Sequence, residues 1–536
     1  MRIAEPPVEP AEDKPETSTM SPRTRHQLQH PAADRPWSVE TAGIESVAED
    51  DRHGTSSELF WVWLGANIGI VAIIYGATLT TLGLNLWQGA VAAVAGSVLS
   101  FVLVGVLGVA GKWGGAPMLG LSRVPFGRKG NLAPTLVSWI SLLGWETVTA
   151  VIAAYAVLAL LASTWHVPPT KAWMLVCLLG VATAALLLGR LGHATIVSVQ
   201  RCVTWTFGLL TLAVLPWLVM RTHWSVVFAA RPGSWLAVVG GVGIVAASTG
   251  ISWTNLSADY SRYLPRRERG AAIVGWTTLG SVVPNTVLII VGILLTSTVK
   301  GLATATDPIG AVGAVLPSWL AVPYLLAAVG GLLAQLVMGL YSSGLNLLAL
   351  GVRVRRSRTV VIDGAVILLA GAFVMVVKAD FFGFLVSFVQ LLACGIATWA
   401  AVFVVDMVMR RGYDRAALES SGLIPTSHPA RLAGDRGVRL PALISWLAGT
   451  TVGLLFTASP LFTGPLAVGV FAQSSLGYLL GFTVSASAYA VLGRDLLHQR
   501  VTDSIRAEAE PVAGRSWPQP HDLVESGHGA GDAGGV

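Results

Sequence analysis

Apolar runs of 18 or more residues recur along this 536-residue chain, from about residue 59 to residue 492. Folded as a helix, a run of that length crosses about 30 Å of hydrocarbon. Only 12% of the residues are charged, whereas soluble domains carry about 25%. The pattern therefore predicts an all-α integral membrane protein that lies mostly within a lipid bilayer.

The runs predict about twelve transmembrane helices, called spans 1 to 12 in chain order. Their predicted ranges are 59–83, 88–111, 132–162, 171–189, 196–220, 235–257, 271–298, 319–350, 360–377, 383–408, 440–458 and 464–492. The transmembrane domain is placed at residues 57–494. Residues 1–56 and 495–536 are polar with almost no apolar periodicity, so both are expected to be disordered tails. The first tail lacks the apolar core of a cleaved signal peptide, so span 1 is expected to direct insertion.

Basic residues between the spans predict the orientation. One set of alternate loops holds 19 Lys and Arg residues, from Lys112 to Arg439, and the opposite set holds only five. Cytoplasmic loops carry the excess of basic residues in membrane proteins. Both termini are therefore expected in the cytoplasm, which requires an even number of spans. The predicted location is the plasma membrane.

Two spans carry interruptions that a stable membrane helix would avoid. Span 1 contains Gly65-Ala-Asn-Ile-Gly69, and span 6 contains Ser248-Thr249-Gly250 after three further glycines. Glycine weakens helix interiors, and backbone groups freed in lipid must be satisfied by protein or water. Paired interruptions in two halves of a chain point to a transporter site. Spans 1–5 and 6–10 then form two halves inserted with opposite orientation.

Two loop motifs resemble a known family. Residues 121–130, LSRVPFGRKG, resemble the R-x-P-F-G-x-x-G signature of the nucleobase–cation symporter family 1, and residues 258–265, ADYSRYLP, resemble the segment that closes span 6 in its purine–cytosine permease branch. The resemblance extends from about Trp61 to Arg494. It implies a leucine-transporter-like core, a 5+5 inverted repeat with two further C-terminal helices, that carries a nucleobase or related heterocycle with a coupling cation.

The resemblance also implies site residues. Substrate contacts are expected on spans 1, 3, 6 and 8, at Asn67, Gly69, Trp145, Glu146, Thr149, Thr249, Gly250, Trp253 and Asn346. Coupling-ion positions are Gly65, Ile68, Glu146 and Gln335, and gate or structural positions are Arg123, Phe126, Gly127, Gly130, Asp259 and Arg262. Sodium-coupled relatives carry two hydroxyl residues on span 8 where this chain has Ala334 and Gln335. That departure favours a proton as the coupling ion.

Two of these residues are also singled out by their chemistry. An indole such as that of Trp145 offers a face on which any planar base can stack. Glu146 is taken as the only carboxylate well inside a predicted span, and charge at that depth is costly unless it is functional. Plainer interpretations remain open: packing for Trp145, interhelical hydrogen bonds for Glu146, Asn67 and Asn346, and a structural pair for Asp259 and Arg262.

The predicted function is cation-coupled import of a nucleobase, cytosine or a purine, with hydantoin, allantoin, uracil or a thiamine-type pyrimidine as alternatives. An enzyme is not indicated, because the sequence has no H-E-x-x-H, G-x-S-x-G or Walker motif. Three scattered cysteines indicate neither a metal site nor a disulfide framework. No cofactor, nucleic acid or obligate protein partner is expected.

Overall fold

The described residues form an all-helical bundle, in which twelve elements correspond to the twelve predicted spans. The computed structural model describes residues 36–494 apart from positions 41, 306, 378–380, 414, 426–436, 460 and 474–475. Residues 1–35 of the first predicted tail and the whole of the second, 495–536, therefore lie outside the described residues. The spans are Glu58–Asn67 with Val71–Thr81, Leu86–Gly114, Leu132–Trp165, Lys171–Gly189, His193–Met220, Trp235–Ser248 with Gly250–Tyr260, Gly270–Leu295, Ser318–Ala349, Arg356–Val377, Phe381–Arg410, Leu440–Leu455 and Gly477–Leu492. Within these described ranges, the β-structure is one isolated bridge, Ala458 to Thr463.

Most spans are long and apolar enough to cross a membrane. In the described chain nine single helices meet that condition, and the two helices of span 1, bent by 60°, make a tenth. Spans 11 and 12 are shorter, with 16 residues each. Large apolar side chains such as Trp87, Leu209 and Leu369 are exposed on the outside of the bundle, where lipid would cover them.

Both predicted interruptions are present. Span 1 leaves the helical path between Asn67 and Val71, and span 6 breaks at Thr249, whose φ of −110° and ψ of −105° are non-helical. Beyond that break, residues Gly250–Tyr260 continue as a 3₁₀ helix. Glycine and hydroxyl residues at the breaks allow the turn, as the sequence indicated.

The two five-span halves pack through equivalent members. The most extensive contacts between the halves join span 2 to span 7 and span 3 to span 8. Each of these pairs contains the same position of the two repeats. The broken spans 1 and 6 therefore lie between two paired walls, as a 5+5 inverted repeat requires.

Two boundaries predicted from the sequence are wrong. Span 12 begins at Gly477 rather than at residue 464, because Gly464, Pro465 and Gly469, the last with a φ of 57°, hold residues before it in turns. The N-terminal tail does not extend to residue 56. Residues 42–56 pack on the bundle, for example through Val47 N, which donates to Gly115 O at 2.8 Å.

Glycines set the distance between spans 1 and 7. A Cβ atom added at Gly76 would lie 2.0 Å from Ile289 O, and one added at Gly292 would lie 2.0 Å from Ile73 O. The two backbones are therefore in contact with no room for a side chain. Such close approach of small residues is a common way to join helices in membranes.

We expect Gly292→Ala to lower the thermal unfolding temperature of the detergent-purified protein, because an overpacked helix contact costs about 1–3 kcal/mol. Gly275→Ala, in the same helix, is the matched control. A Cβ there meets nothing within 4 Å, so the substitution should be neutral or slightly stabilising. Equal melting of the two variants would contradict the close packing of spans 1 and 7.

Candidate functional site

A small cavity of about 30 Å³ lies between the two broken spans and spans 3 and 8. It is lined by Tyr75, Leu142, Trp145, Glu146, Thr149, Ser248, Ser252, Trp253, Gln335, Leu336 and Gly339. Four predicted substrate residues, Trp145, Glu146, Thr149 and Trp253, are among them, and so is the predicted coupling residue Gln335. The break in span 6 therefore borders the cavity through Ser248 and Ser252, whereas span 1 reaches it only through Tyr75, beyond its own break.

Span 3 supplies an indole and a carboxyl group to this cavity. Neither Trp145 Nε1 nor the Glu146 carboxyl oxygens have a hydrogen-bond partner, although all three atoms are buried. Trp253 adds a second indole from the opposite wall, and its ring is held edge-on by Trp63 at 5.7 Å between centroids. Buried polar groups normally have partners, so these three atoms keep unused hydrogen-bonding capacity in the wall of the cavity.

At the span 6 break, the structure turns two predicted contacts away from the cavity. Gly250 N donates to Ser100 Oγ of span 2 at 3.2 Å, and Thr249 Oγ1 donates to Val245 O at 2.6 Å. The neighbouring Ser248 and Ser252 line the cavity instead. The sequence located the break but not its rotation, so these two serines, like Tyr75 of span 1, were missed.

The two predicted asparagines take part in bonds between helices. Asn67 accepts from Asn285 Nδ2 at 2.8 Å and donates to Trp63 O at 2.8 Å. Asn346 Nδ2 donates to Ser138 Oγ at 2.8 Å. Both amides are buried and neither lines the cavity, so the geometry favours the packing interpretation of both.

A glutamine occupies the space where the resemblance placed the coupling ion, between spans 1 and 8. Gln200 Nε2 of span 5 donates to Ala334 O at 2.9 Å. Its Oε1 lies 2.2 Å from where a Cβ on Gly65 would be. The Gln200 side-chain amide thus fills the gap beside Gly65 and donates a hydrogen bond to the Ala334 carbonyl. Gly69, a little further along span 1, faces Gln335 instead.

A second intramembrane carboxylate accompanies Glu146. Asp363 is fully buried and accepts from Trp139 Nε1 at 2.9 Å. The expectation that Glu146 is alone was wrong because span 9 begins at Arg356 rather than at residue 360, which places Asp363 two turns inside the helix. Asp406 of span 10 is also buried, but it is paired with Arg410 at 2.6 Å.

At one end of the bundle, a buried carboxylate from the N-terminal segment holds several spans together. Glu40 forms ion pairs with Arg262 at the end of span 6 and with Arg356 at the start of span 9, the latter at 3.2 Å. It also accepts from Tyr263 Oη at 2.5 Å and from the backbone N–H of His193, which begins span 5, at 3.1 Å. We call these five residues the Glu40 cluster.

The Glu40 cluster corrects the predicted role of Asp259. In place of an ion pair with Arg262, Asp259 Oδ1 accepts from Met118 N at 2.7 Å. Arg262 pairs with Glu40, which the sequence could not show because residues 36–56 have no apolar pattern. Burial alone would raise the pKa of Glu40, but Arg356 and Arg262 outweigh it and lower the pKa to about 2.

The glycine-containing loop between spans 2 and 3 is clamped at the same end. Arg123 Nη2 donates to Ala349 O, the end of span 8, at 2.8 Å. Phe126 is fully buried, and Gly127 has a φ of 78°, as a tight turn requires. Gly130 N donates to Gly437 O at 3.0 Å, just before span 11. The loop therefore fastens spans 8 and 11 to the base of span 3.

Comparisons with known proteins match this architecture. A family model described as permease for cytosine/purines, uracil, thiamine, allantoin matches residues 46–481. The chain belongs to this family. It is a multi-pass membrane transporter of the nucleobase–cation symport group, a family of permeases whose members bind a small substrate and a coupling cation.

Individual relatives are distant but cover most of the chain. A Bacillus subtilis (strain 168) protein named "Putative purine-cytosine permease YxlA" is 23% identical over 475 residues, covering 86% of this chain and 97% of that protein. The structure of Mhp1 in a closed conformation with bromovinylhydantoin bound gives a TM-score of 0.68 at 17% identity, over 86% of this chain and 97% of that one. Inward-facing Mhp1 gives 0.62 at 16%, over 88% and 96%. Both structures share the fold.

We expect Glu40→Gln to loosen the end of the bundle where Glu40 joins spans 5, 6 and 9. The variant leaves Arg262 and Arg356 buried without a carboxylate, and breaking a buried ion pair costs about 3–5 kcal/mol. The low pKa means that Glu40 is charged at all pH values above about 2. Its contribution to stability is therefore complete at neutral pH and is lost only as the pH falls below the ordinary glutamate range toward 2.

The measurement is the rate at which a maleimide labels Ser252→Cys, placed in the cavity, in a Cys202→Ser background. Glu40→Gln should raise that rate several-fold. Glu45→Gln, on the same segment but exposed, should not. Unchanged labelling in Glu40→Gln would show that the Glu40 cluster does not close the cavity.

Proposed function

We propose that the protein is a proton-coupled symporter that imports a nucleobase, cytosine or a purine. The observation that carries this proposal is the cavity between the broken spans, where two indoles and an unpaired carboxyl group meet. Aromatic faces accept planar bases by stacking, at about 1–3 kcal/mol per base. Carboxyl, amide and hydroxyl groups can form hydrogen bonds with the polar edge of the ring.

Each polar group in the cavity suits an edge contact with a base. A protonated Glu146 can donate to a ring nitrogen or carbonyl, whereas its carboxylate can accept from an exocyclic amine. Thr149 lies one turn further along the same face of span 3, and Gln335 offers both a donor and an acceptor from span 8. A small, flat and polar substrate fits this set better than an amino acid or an inorganic ion does.

Proton coupling is supported by what lies between spans 1 and 8. A sodium ion needs several oxygen ligands, and Ala334 offers only its backbone carbonyl, which already accepts from Gln200. An amide in that position holds the two spans together without a bound cation. Glu146, in contact with the cavity, is the group that we assign to proton binding.

From the excess of basic residues in one set of loops we infer that the Glu40 cluster faces the cytoplasmic side of the plasma membrane, with both termini inside. The cluster then closes the inner end of the cavity, and import requires its ion pairs to separate so that substrate can leave. Arg262, Arg356 and their aromatic neighbours join spans 6, 8 and 9 at that end. Opening of the Glu40 cluster would therefore move spans 6, 8 and 9 relative to spans 1 and 5.

The direct test is uptake by proteoliposomes. Radiolabelled cytosine should accumulate under an inward proton gradient, and an uncoupler should abolish that accumulation. Competition by adenine, hydantoin, allantoin, uracil and a thiamine-type pyrimidine identifies the preferred ring. Strong preference for a hydantoin would favour the alternative suggested by the ligand of Mhp1, and failure to bind any of these rings would refute the proposal.

Stacking predicts that Trp145→Ala weakens binding of the preferred base about 5- to 150-fold, the equivalent of 1–3 kcal/mol. Trp145→Phe should keep much of the affinity, because a ring face remains. Trp235→Ala, at an exposed indole at the start of span 6, is the control and should bind like the parent protein. Equal binding by the Ala and Phe variants of Trp145 would make it a packing residue.

The filled gap beside Gly65 predicts sodium-independent transport. Uptake should persist when choline replaces sodium, and it should fall as the external pH rises, because fewer protons are then available to load the carrier. Initial rates across a grid of sodium concentration and external pH provide the measurement. Strict dependence on sodium would show that a cation displaces the Gln200 amide during transport.

A further inference from the structure

Two carboxyl groups are buried in the same part of the bundle, and neither has a cation partner among the described residues. Glu146 of span 3 and Asp363 of span 9 interact electrostatically, and their residues are 2% and 0% exposed. Among the described residues, no Lys or Arg forms an ion pair with either. Both oxygens of Glu146, and Oδ2 of Asp363, lack a hydrogen-bond partner. The proposed transport mechanism uses only the first of these carboxyl groups.

Span 8 lies next to the carboxyl groups of Glu146 and Asp363. A Cβ atom on Gly339 would lie 2.8 Å from Glu146 Cγ and 2.9 Å from Glu146 Oε1, so the carboxyl group rests directly on the span 8 backbone. Ser343, one turn further along that face, is close enough to interact with both carboxyl groups. Its hydroxyl otherwise makes only a long bond to Leu340 O, at 3.4 Å.

Two carboxylates cannot both be ionised in this position without a large cost. Like charges in a low-dielectric interior repel strongly, and neither has a cation to offset its loss of hydration. In such pairs one group retains a proton, and the two titrate as a unit. Three unpaired oxygens around a serine hydroxyl are therefore arranged for a shared proton.

We propose that Glu146 and Asp363 form a single proton-binding unit, in which Asp363 is the second carrier of the coupling proton and Ser343 connects the two. This inference rests on the proposed function for its role in transport. Glu146 exchanges the proton with the cavity. Glu146 gives its proton to Ser343 Oγ as the serine proton passes to Asp363 Oδ2, so one proton moves and the serine is unchanged.

The position of Asp363 gives the transfer a direction. Asp363 is held by Trp139, which lies seven residues before Glu146 on span 3, or roughly 10 Å along the helix. It therefore lies between the cavity and the Glu40 cluster, whose Arg356 begins the same span 9. A proton that moves from Glu146 to Asp363 moves away from the substrate and toward the proposed cytoplasmic exit.

Few other ionisable groups face the pair. Tyr260 of span 6 interacts with Glu146, and its hydroxyl donates to Met338 O at 2.7 Å. On span 8, Tyr341 is directed to the Glu40 cluster, as is Arg356 on span 9. None of these groups supplies a cation in contact with the two carboxyl groups.

The first test needs no substrate. Infrared difference spectra of the purified protein across a pH titration report the carbonyl stretch of protonated carboxylic acids. We expect Glu146→Gln and Asp363→Asn each to remove part of that signal and to shift the pH at which the remaining partner titrates. Asp307→Asn, at the start of a short helix outside the spans, should do neither. Independent titration of the two groups would overturn the pair.

The second test uses transport. Asp363→Asn preserves an acceptor for Trp139, so the variant should still bind and exchange cytosine. Accumulation under a proton gradient should fall at least tenfold, as in Glu146→Gln, and its pH dependence should flatten. Trp139→Phe, which frees Asp363 without removing its carboxyl group, should keep accumulation but alter its pH profile.

The possible outcomes separate the two proposals. If the parent protein binds no nucleobase, the proposed function fails, and the infrared titration still decides whether the pair exists. If Asp363→Asn accumulates cytosine like the parent with the same pH profile, Asp363 is not part of the coupling site. If Asp363→Asn unfolds, Trp139→Phe decides instead, because it keeps the Asp363 carboxyl group and can be followed by the same infrared titration.

Discussion

Backbone hydrogen bonding inside the membrane is the constraint on which this structure depends. A helix broken in lipid exposes N–H and C=O groups, and each must find a partner within the protein. At the break in span 6, span 2 supplies that partner, since Ser100 Oγ accepts from Gly250 N and lies 3.3 Å from Thr249 Oγ1. With these bonds made on the outer side of the break, Ser248 and Ser252 are left facing the cavity.

Buried charge divides the molecule into two parts with different uses. At one end, Glu40 pairs with two arginines and accepts from hydroxyl and N–H donors. It therefore stays ionised at physiological pH. In the middle of the bundle, Glu146 and Asp363 form no ion pair with a Lys or Arg of the described residues, and three of their four carboxyl oxygens have no hydrogen-bond partner. The first arrangement suits a closure that opens by movement. The second suits groups that gain and lose a proton, because no fixed cation holds the charge.

The sequence was informative wherever a local pattern carries the physics. Apolar length predicted the spans, glycine and hydroxyl clusters predicted both breaks, and an indole next to an intramembrane carboxylate predicted the wall of the cavity at Trp145 and Glu146. Each of these signals depends on residues that are close in the chain. The family motifs added the overall arrangement, which the structural likeness to Mhp1 confirms.

Long-range partners were beyond the reach of such patterns. The rotation of span 6 that directs Thr249 toward Ser100 is decided by span 2, about 150 residues away. Glu40 lies in a stretch that reads as a polar tail, and its burial depends on arginines in spans 6 and 9. The residues next to Gln200 in the sequence give no sign of its contact with Ala334. Asp363 was overlooked because a helix start misplaced by four residues moved it to the membrane edge.

The proposed function requires a planar base to bind between the two broken spans. Cryo-electron microscopy of the purified protein with cytosine, or with the ring that competes best, tests it most directly. We expect density for a flat ring between Trp145 and Trp253, with its polar edge toward Glu146. A ring bound elsewhere in the bundle, or a cavity that remains empty at saturating concentrations of a transported base, would contradict it.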